Sequence, residues 1–213
     1  MFMKRFLLFS LVFILAAPLF SQSNKIKELP APQREGGMPL MEALDSRHST
    51  RSYQEKDLPE QVLSNLLWAG FGENRESGKR TAPSSQNKQE MEIWVATKDG
   101  LYLYMADQHA LKLMVDKDIR AKTGNQDFVD VAPINLVYVA NYNKAGDVNP
   151  EEYKFTSGIN TGFIAQNVYL YCASEGLASV VRGWYNEQEL TRAMQLEDHR
   201  DIILTQTVGY PKE

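Results

Sequence analysis

From residue 38 onward the apolar positions follow two periods, one helical and one alternating. Leu40, Met41 and Leu44 share a face over 38–45 and predict a short helix, after which the chain extends through 47–53. A second helix is predicted over 59–71, where Val62, Leu63, Leu66, Leu67 and Trp68 are apolar and Pro59 stands in the first turn. Residues 73–90 hold only Ala82 and Pro83 as apolar positions and read as a long loop, a length that in a compact domain signals function or disorder. Two strands over 91–97 and 101–105 flank a hairpin turn at Lys98-Asp99-Gly100. Residues 110–122 read as a helix, and 134–142 as a strand apolar enough to be buried on both faces. A long helix is predicted over 152–174, with Ile159, Phe163, Ile164, Asn167, Val168, Tyr171 and Cys172 on one broad stripe. A helix over 187–194 and a strand over 201–209 complete the chain. Interspersed strands and helices with one hairpin predict an α+β or mixed α/β sandwich around a single sheet.

The first residues follow another pattern. Lys4 and Arg5 precede an almost continuous apolar run over 6–17, and Pro18-Leu19-Phe20-Ser21 leads into polar Gln22. This is the layout of a secretory signal peptide over 1–21, cleaved after Ser21. The competing reading, a membrane anchor, needs a longer span of roughly 20 apolar residues. Residues 22–37 are polar and rich in Pro and Gly and are expected to be a flexible linker to one domain over 38–213. The expected location is outside the cytoplasm, in a bacterial periplasm or at the cell surface, with no membrane span left after cleavage.

Composition narrows the partners. The formal charge is −4 and no basic run stands out, so a nucleic-acid partner is not expected. The single cysteine, Cys172, rules out an internal disulfide and lies in an apolar helix, where a thiol packs as a small hydrophobe. His48, His109 and His199 lie far apart, without metal-ligand spacing. Gly70-Phe71-Gly72 follows a helix, and Gly78-Lys79 lacks a following Ser or Thr, so neither makes a nucleotide loop.

Three segments carry candidate chemistry. In an extended chain Arg47, Ser49 and Arg51 fall on one side, and two guanidinium groups beside a hydroxyl suit a phosphate. A charged helix end exposed to water explains them as well. Thr81-Ala82-Pro83-Ser84-Ser85-Gln86-Asn87 offers small donors for the polar edge of a planar ring, or is a plain turn. Residues 176–184 follow the long helix with Gly176 as its cap, and their small residues suit a flat ligand, or an ordinary connection between helices.

Taken together and in order, these segments resemble the nitroreductase family of FMN-dependent oxidoreductases over about 38–211. The resemblance rests on Arg47 to Tyr53, Ala82 to Asn87, Ala132-Pro133, Gly162 to Asn167, Gly176 to Ser179 and Val208 to Pro211. Within the family, Gly100-Leu101-Tyr102-Leu103-Tyr104 and His109-Ala110-Leu111 are similar to the azoline-forming dehydrogenases of modified peptides. That branch carries a Lys-Tyr pair where this chain reads Tyr153-Lys154-Phe155.

The resemblance implies the family's α/β sandwich, with a mostly antiparallel central sheet flanked by helices, and a homodimer with FMN at the interface. It implies that Arg47, His48, Ser49 and Arg51 hold the FMN phosphate and ribityl chain. Pro83, Ser84, Ser85 and Asn87 are implied to line the flavin ring, usually that of the partner subunit. Asn125 is implied to contact the ring's polar edge, and the backbone at Val181, Arg182 and Gly183 to approach flavin N5, where hydride arrives and leaves. The acting group is FMN, and no side chain is assigned to the chemistry. Two departures accompany this. Phe128 stands where many members carry Lys near flavin N1, so the redox potential is expected to fall unless Arg182 or another cation replaces it. The last strand is soon followed by Glu213, so FMN is expected to be held more loosely. The implied activity is two-electron oxidation or reduction of a small molecule or peptide; the alternative is a flavin- or ligand-binding protein of the same fold without catalysis.

Overall fold

The computed structural model describes residues 25–212. The signal sequence expected over 1–21 lies outside them. Seven strands pair antiparallel throughout: β1 (Ile26–Glu28), β2 (Met91–Thr97), β3 (Gly100–Met105), β4 (Ala110–Val115), β5 (Ile134–Asn141), β6 (Ala178–Arg182) and β7 (Arg200–Gly209), in the order β1-β4-β3-β2-β5-β7-β6. The helices are α1 (Leu40–Ser46), α2 (Glu60–Phe71), α3 (Tyr142–Ala145), α4 (Pro150–Ser174) and α5 (Glu187–Met194). This is the α+β sandwich with an antiparallel sheet that the sequence predicts.

β2 and β5 lie at the centre because their alternating side chains are apolar on both faces. On one face Ile93, Val95, Leu136 and Tyr138 pack with Leu66 and Leu67 of α2 and Ile164, Val168 and Cys172 of α4. On the other, Trp94, Ala96, Val137 and Val139 pack with Leu190 and Met194 of α5. The hairpin between β2 and β3 requires its glycine. Gly100 has φ of 144°, and a Cβ there would lie 2.7 Å from the Val115 carbonyl oxygen.

Three predicted segments differ. Residues 110–122, expected to be helical, form strand β4 and a single 3-10 turn at Arg120–Lys122. Ala, Leu, Lys and Met favour helices, but a tight reversal with His109 at φ of 48° places Ala110 opposite Met105, and β1 and β3 then pair with both edges of β4. The apolar segment after α4 is strand β6, paired along its length with β7. The expected flexible linker over 22–37 is docked from Lys25 onward. β1 pairs with β4, Leu29 is buried, and Gln33 and Met38 donate backbone N–H groups to Asn65 Oδ1 and Ser174 Oγ at 2.9 and 2.7 Å. Strand pairing uses backbone groups, so a polar, Pro- and Gly-rich composition does not prevent it.

A partly buried relay fastens this arm. Tyr104 Oη lies 2.9 Å from His109 Nδ1, His109 Nε2 lies 2.7 Å from Ser64 Oγ, and Ser64 donates to the Pro30 carbonyl at 2.5 Å. All three groups are satisfied when Tyr104 donates to a neutral imidazole. Desolvation lowers the His109 pKa from its ordinary 6.5 and Arg34 adds to this, while the Pro30 carbonyl opposes it. A depressed histidine contributes stability that is complete above the unfolded-state value and is lost as pH falls from about 6.5 through the folded value. Amide exchange at Ile26–Glu28 is therefore expected to quicken between pH 7.5 and 5.5 relative to β2. Equal acid sensitivity of β1 and β2, or a His109→Gln variant with the wild-type pH response, would remove this role.

Candidate functional site

α1 ends at Ser46 because Arg47 turns extended, with ψ of 120°. The extended chain then runs beside β6 and the end of β7. Thr50 N–H donates to the Ser179 carbonyl at 3.0 Å, Tyr53 pairs with Pro211, and Tyr53 Oη donates to the Thr50 carbonyl at 2.7 Å. Tyr169 of α4 ties this segment to the strand. Its hydroxyl accepts from Val181 N–H at 2.8 Å and lies 3.0 Å from Ser49 Oγ, and the Arg47 guanidinium stands 5.4 Å from its ring centroid. Either hydroxyl can donate in the Ser49–Tyr169 contact, and the exposed Ser49 oxygen can exchange this bond for one to an acceptor from outside. Arg47 is half-buried and Arg51 exposed, and neither forms an ion pair among the described residues.

The alternation separates His48 from the two arginines. His48 Nδ1 lies 2.7 Å from the Ser46 carbonyl oxygen, and Ser46, His48 and Thr50 line a cavity of about 250 Å³ with Tyr169, Cys172 and Ser179. Cys172 is buried there and its thiol is pushed up to about 12 by desolvation, which suits packing and not nucleophilic chemistry.

Arg182, the last residue of β6, is buried at 4% exposure between half-buried Val181 and exposed Gly183. Its guanidinium donates to the Thr123 carbonyl at 2.9 Å and to Asn135 Oδ1 at 2.8 Å. Desolvation lowers its pKa to about 10, with Tyr53 working the other way, so it stays charged at neutral pH. Phe128 is buried beside it, its ring centroid 6.0 Å from the guanidinium carbon. Asn125 is exposed, and its N–H donates to the Trp184 carbonyl at 3.1 Å. The fold therefore gathers Arg47, Ser49, Val181, Arg182, Gly183 and Asn125 around the β6 edge.

The loop carrying Pro83, Ser84, Ser85 and Asn87 lies elsewhere. Ser85 N–H donates to Asn160 Oδ1 at 3.2 Å, and the Asn160 amide donates to Glu90 at 2.8 Å. Asn160 precedes Tyr169 by nine residues of α4, a separation of about 13.5 Å at the helical rise. Gln86, Asn87 and Gln89 have φ of 52°, 56° and 51°, so this is a constrained turn that presents Pro83, Ser85 and Asn87 to solvent. Tyr169 and Asn160, the two α4 residues that hold these loops, carry no signal of their own in the sequence; both lie within an unbroken helix.

The apolar stripes also divide. In α4, Ile164, Val168 and Cys172 face the core, while Phe155, Ile159 and Phe163 stand exposed at 78%, 46% and 44%. In α1, Leu40, Met41 and Leu44 are exposed and Ala43 is the buried residue.

The family model described as "Nitroreductase family" matches residues 44–210. A protein of Methanocaldococcus jannaschii named as a nitroreductase is 29% identical over 175 residues, covering 78% of this chain and 88% of its own. A crystal structure from Ralstonia eutropha, titled as a nitroreductase, is 42% identical with a TM-score of 0.84, covering 95% of this chain and 97% of that one. A chain of the Escherichia coli microcin synthetase complex is 18% identical with a TM-score of 0.68, covering 95% and 85%, a likeness of fold alone.

Proposed function

The chain belongs to the nitroreductase family of oxidoreductases, and from that membership we propose that it is an FMN-dependent oxidoreductase acting on a small-molecule or peptide substrate. The observation that carries the proposal is the donor set at the β6 edge. Arg47 and Arg51 have no carboxylate partner among the described residues, and the Ser49 hydroxyl is exposed beside Tyr169. Two cations and a hydroxyl on one extended segment match the charge and acceptor number of a phosphate monoester.

FMN, when bound, supplies two-electron chemistry through its ring. The residues of this chain bind and place it. Arg47, Ser49 and Arg51 would hold the phosphate, and Tyr169 keeps Ser49 and the Val181 backbone in fixed relation to each other. Gly183 leaves the strand edge open, since a Cβ there would meet nothing nearer than Leu204 at 3.8 Å. Asn125, held to Trp184 through its backbone, offers a carboxamide at the same edge.

The proposal includes a homodimer. Phe155, Ile159 and Phe163 of α4 and Leu40, Met41 and Leu44 of α1 expose large apolar surface, which soluble proteins rarely leave uncovered. In such a dimer the rigid turn at Pro83, Ser84, Ser85 and Asn87 would serve the partner's site, consistent with its separation from Arg47 within one chain. Residues 1–21 support action outside the cytoplasm.

A visible absorption spectrum of the purified protein, before and after FMN addition and gel filtration, tests this reading. Flavin bands retained in a dimer-sized peak are expected. Loss of all flavin after saturation would refute the FMN assignment, and a monomer that keeps flavin would refute the shared site.

A further inference from the structure

We propose that Arg182 is the positive charge that makes this site bind reduced FMN more tightly than oxidised FMN; the inference rests on the FMN reading above. Arg182 is buried, yet the atoms that receive its hydrogen bonds are all neutral. They are the Thr123 carbonyl and Oγ1, Asn135 Oδ1 and Gln126 Oε1, at 2.9, 3.4, 2.8 and 3.4 Å. No carboxylate pairs with it among the described residues. Burying an ion without a counter-ion is costly, and acidic residues outnumber basic ones in this chain, so a neutral cage is not forced by a shortage of acids.

The cage is built for this group. A Cβ on Gly124 would lie 1.8 Å from Arg182 Nη1, so glycine makes the space that the guanidinium fills. Arg182 Nε is buried and donates to nothing among the described residues. The guanidinium carbon stands 6.0 Å from the Phe128 ring centroid, and the Arg182 backbone ends β6, the strand edge that the FMN reading gives to the flavin.

An uncompensated buried cation stabilises negative charge nearby, and does so further than an exposed one because the surrounding dielectric is low. Two electrons and one proton turn the neutral oxidised flavin ring into an anion. Arg182 therefore favours the reduced form. A guanidinium that merely braced residues 123–126 against the sheet would act on both redox forms alike, so the ratio of the two affinities separates the roles.

The test is an anaerobic titration of the protein with FMN and with dithionite-reduced FMN. Arg182→Gln is expected to shrink the preference for reduced over oxidised FMN by about tenfold, equivalent to about 30 mV in a two-electron potential. Arg182→Lys is expected to retain most of it. Gln126→Glu sets a carboxylate beside Nη1 without emptying the buried site, and is expected to reproduce the Gln effect even if Arg182→Gln fails to fold. If the two affinities move together, or not at all, in both Arg182→Gln and Gln126→Glu, Arg182 is a brace and the proposal is wrong. Wild-type protein that binds neither form would instead overturn the FMN reading beneath it.

Discussion

Replacing Arg47 by alanine is expected to raise the dissociation constant for FMN about tenfold to a hundredfold, with little change in melting temperature. A hydrogen bond to a charged group contributes about 1.5–3 kcal/mol, and one carboxylate-free guanidinium facing a phosphate falls in that range. Stability changes little because Arg47 is half-buried and its one aromatic contact is a stacking on Tyr169 at 5.4 Å. Riboflavin, which lacks the phosphate, provides the control. Its affinity is expected to be the same for the wild-type protein and for Arg47→Ala. Unchanged FMN affinity in the variant, or an equal loss for riboflavin, would remove Arg47 from the phosphate site.

The largest expected loss of stability lies away from this site, at Glu92. Its side chain is 3% exposed, and four donors surround it. Lys144 and Asn141 reach Oε1 at 2.9 and 2.7 Å, and Arg200 and Trp94 reach Oε2 at 3.1 Å each. Glu92→Leu would leave the Asn141 and Trp94 donors and the Arg200 guanidinium facing an apolar group. Removing one partner of a buried ion pair costs about 3–5 kcal/mol. Lys144 is half exposed and can turn to water, and Arg200 keeps Glu197, which places the loss toward the lower end. A fall in melting temperature of about 6–12 °C is expected for a domain of this size. Burial by itself raises the Glu92 pKa, but Lys144, Asn141 and Arg200 outweigh it and hold the carboxyl below its ordinary 4.5. Its contribution is therefore complete above about pH 4.5 and lost as pH falls through the depressed folded value. Thermal melts of the wild-type protein and Glu92→Gln at pH 7 and pH 4 check this. The gap between them is expected to narrow in acid, and a gap that is constant or wider at pH 4 would contradict the pairing.

The central elements were legible because burial writes itself into side chains. α2, β2, β3, β5, α5 and β7 all carry runs or stripes whose faces the structure confirms within a residue or two. Tyr142 alone moved from the end of a predicted strand into the start of α3. The strands that escaped, β1, β4 and β6, lie at or next to the sheet edges. β1 is held by backbone hydrogen bonds to β4, far along the chain, and β6 by those to β7, and such bonds demand little of side-chain pattern. The polar segment before α1 hides β1 for the same reason, and helix-forming residues disguise β4.

By itself the sequence determined the periods, the phosphate-suited alternation of Arg47, Ser49 and Arg51, and the family likeness, because each depends on residue types at short range. It also showed that Ile159, Phe163 and Ile164 lie close together around one helix. Only the tertiary structure decided that Ile164 enters the core while Phe155, Ile159 and Phe163 face outward, because a stripe defines a side of the helix and not what covers it. Tyr169 joining Ser49 to Val181 was likewise a matter of the fold, as was the neutral cage around Arg182. Contacts across more than a hundred residues, and the balance of charge inside a buried space, exist only once the sheet has brought those segments together.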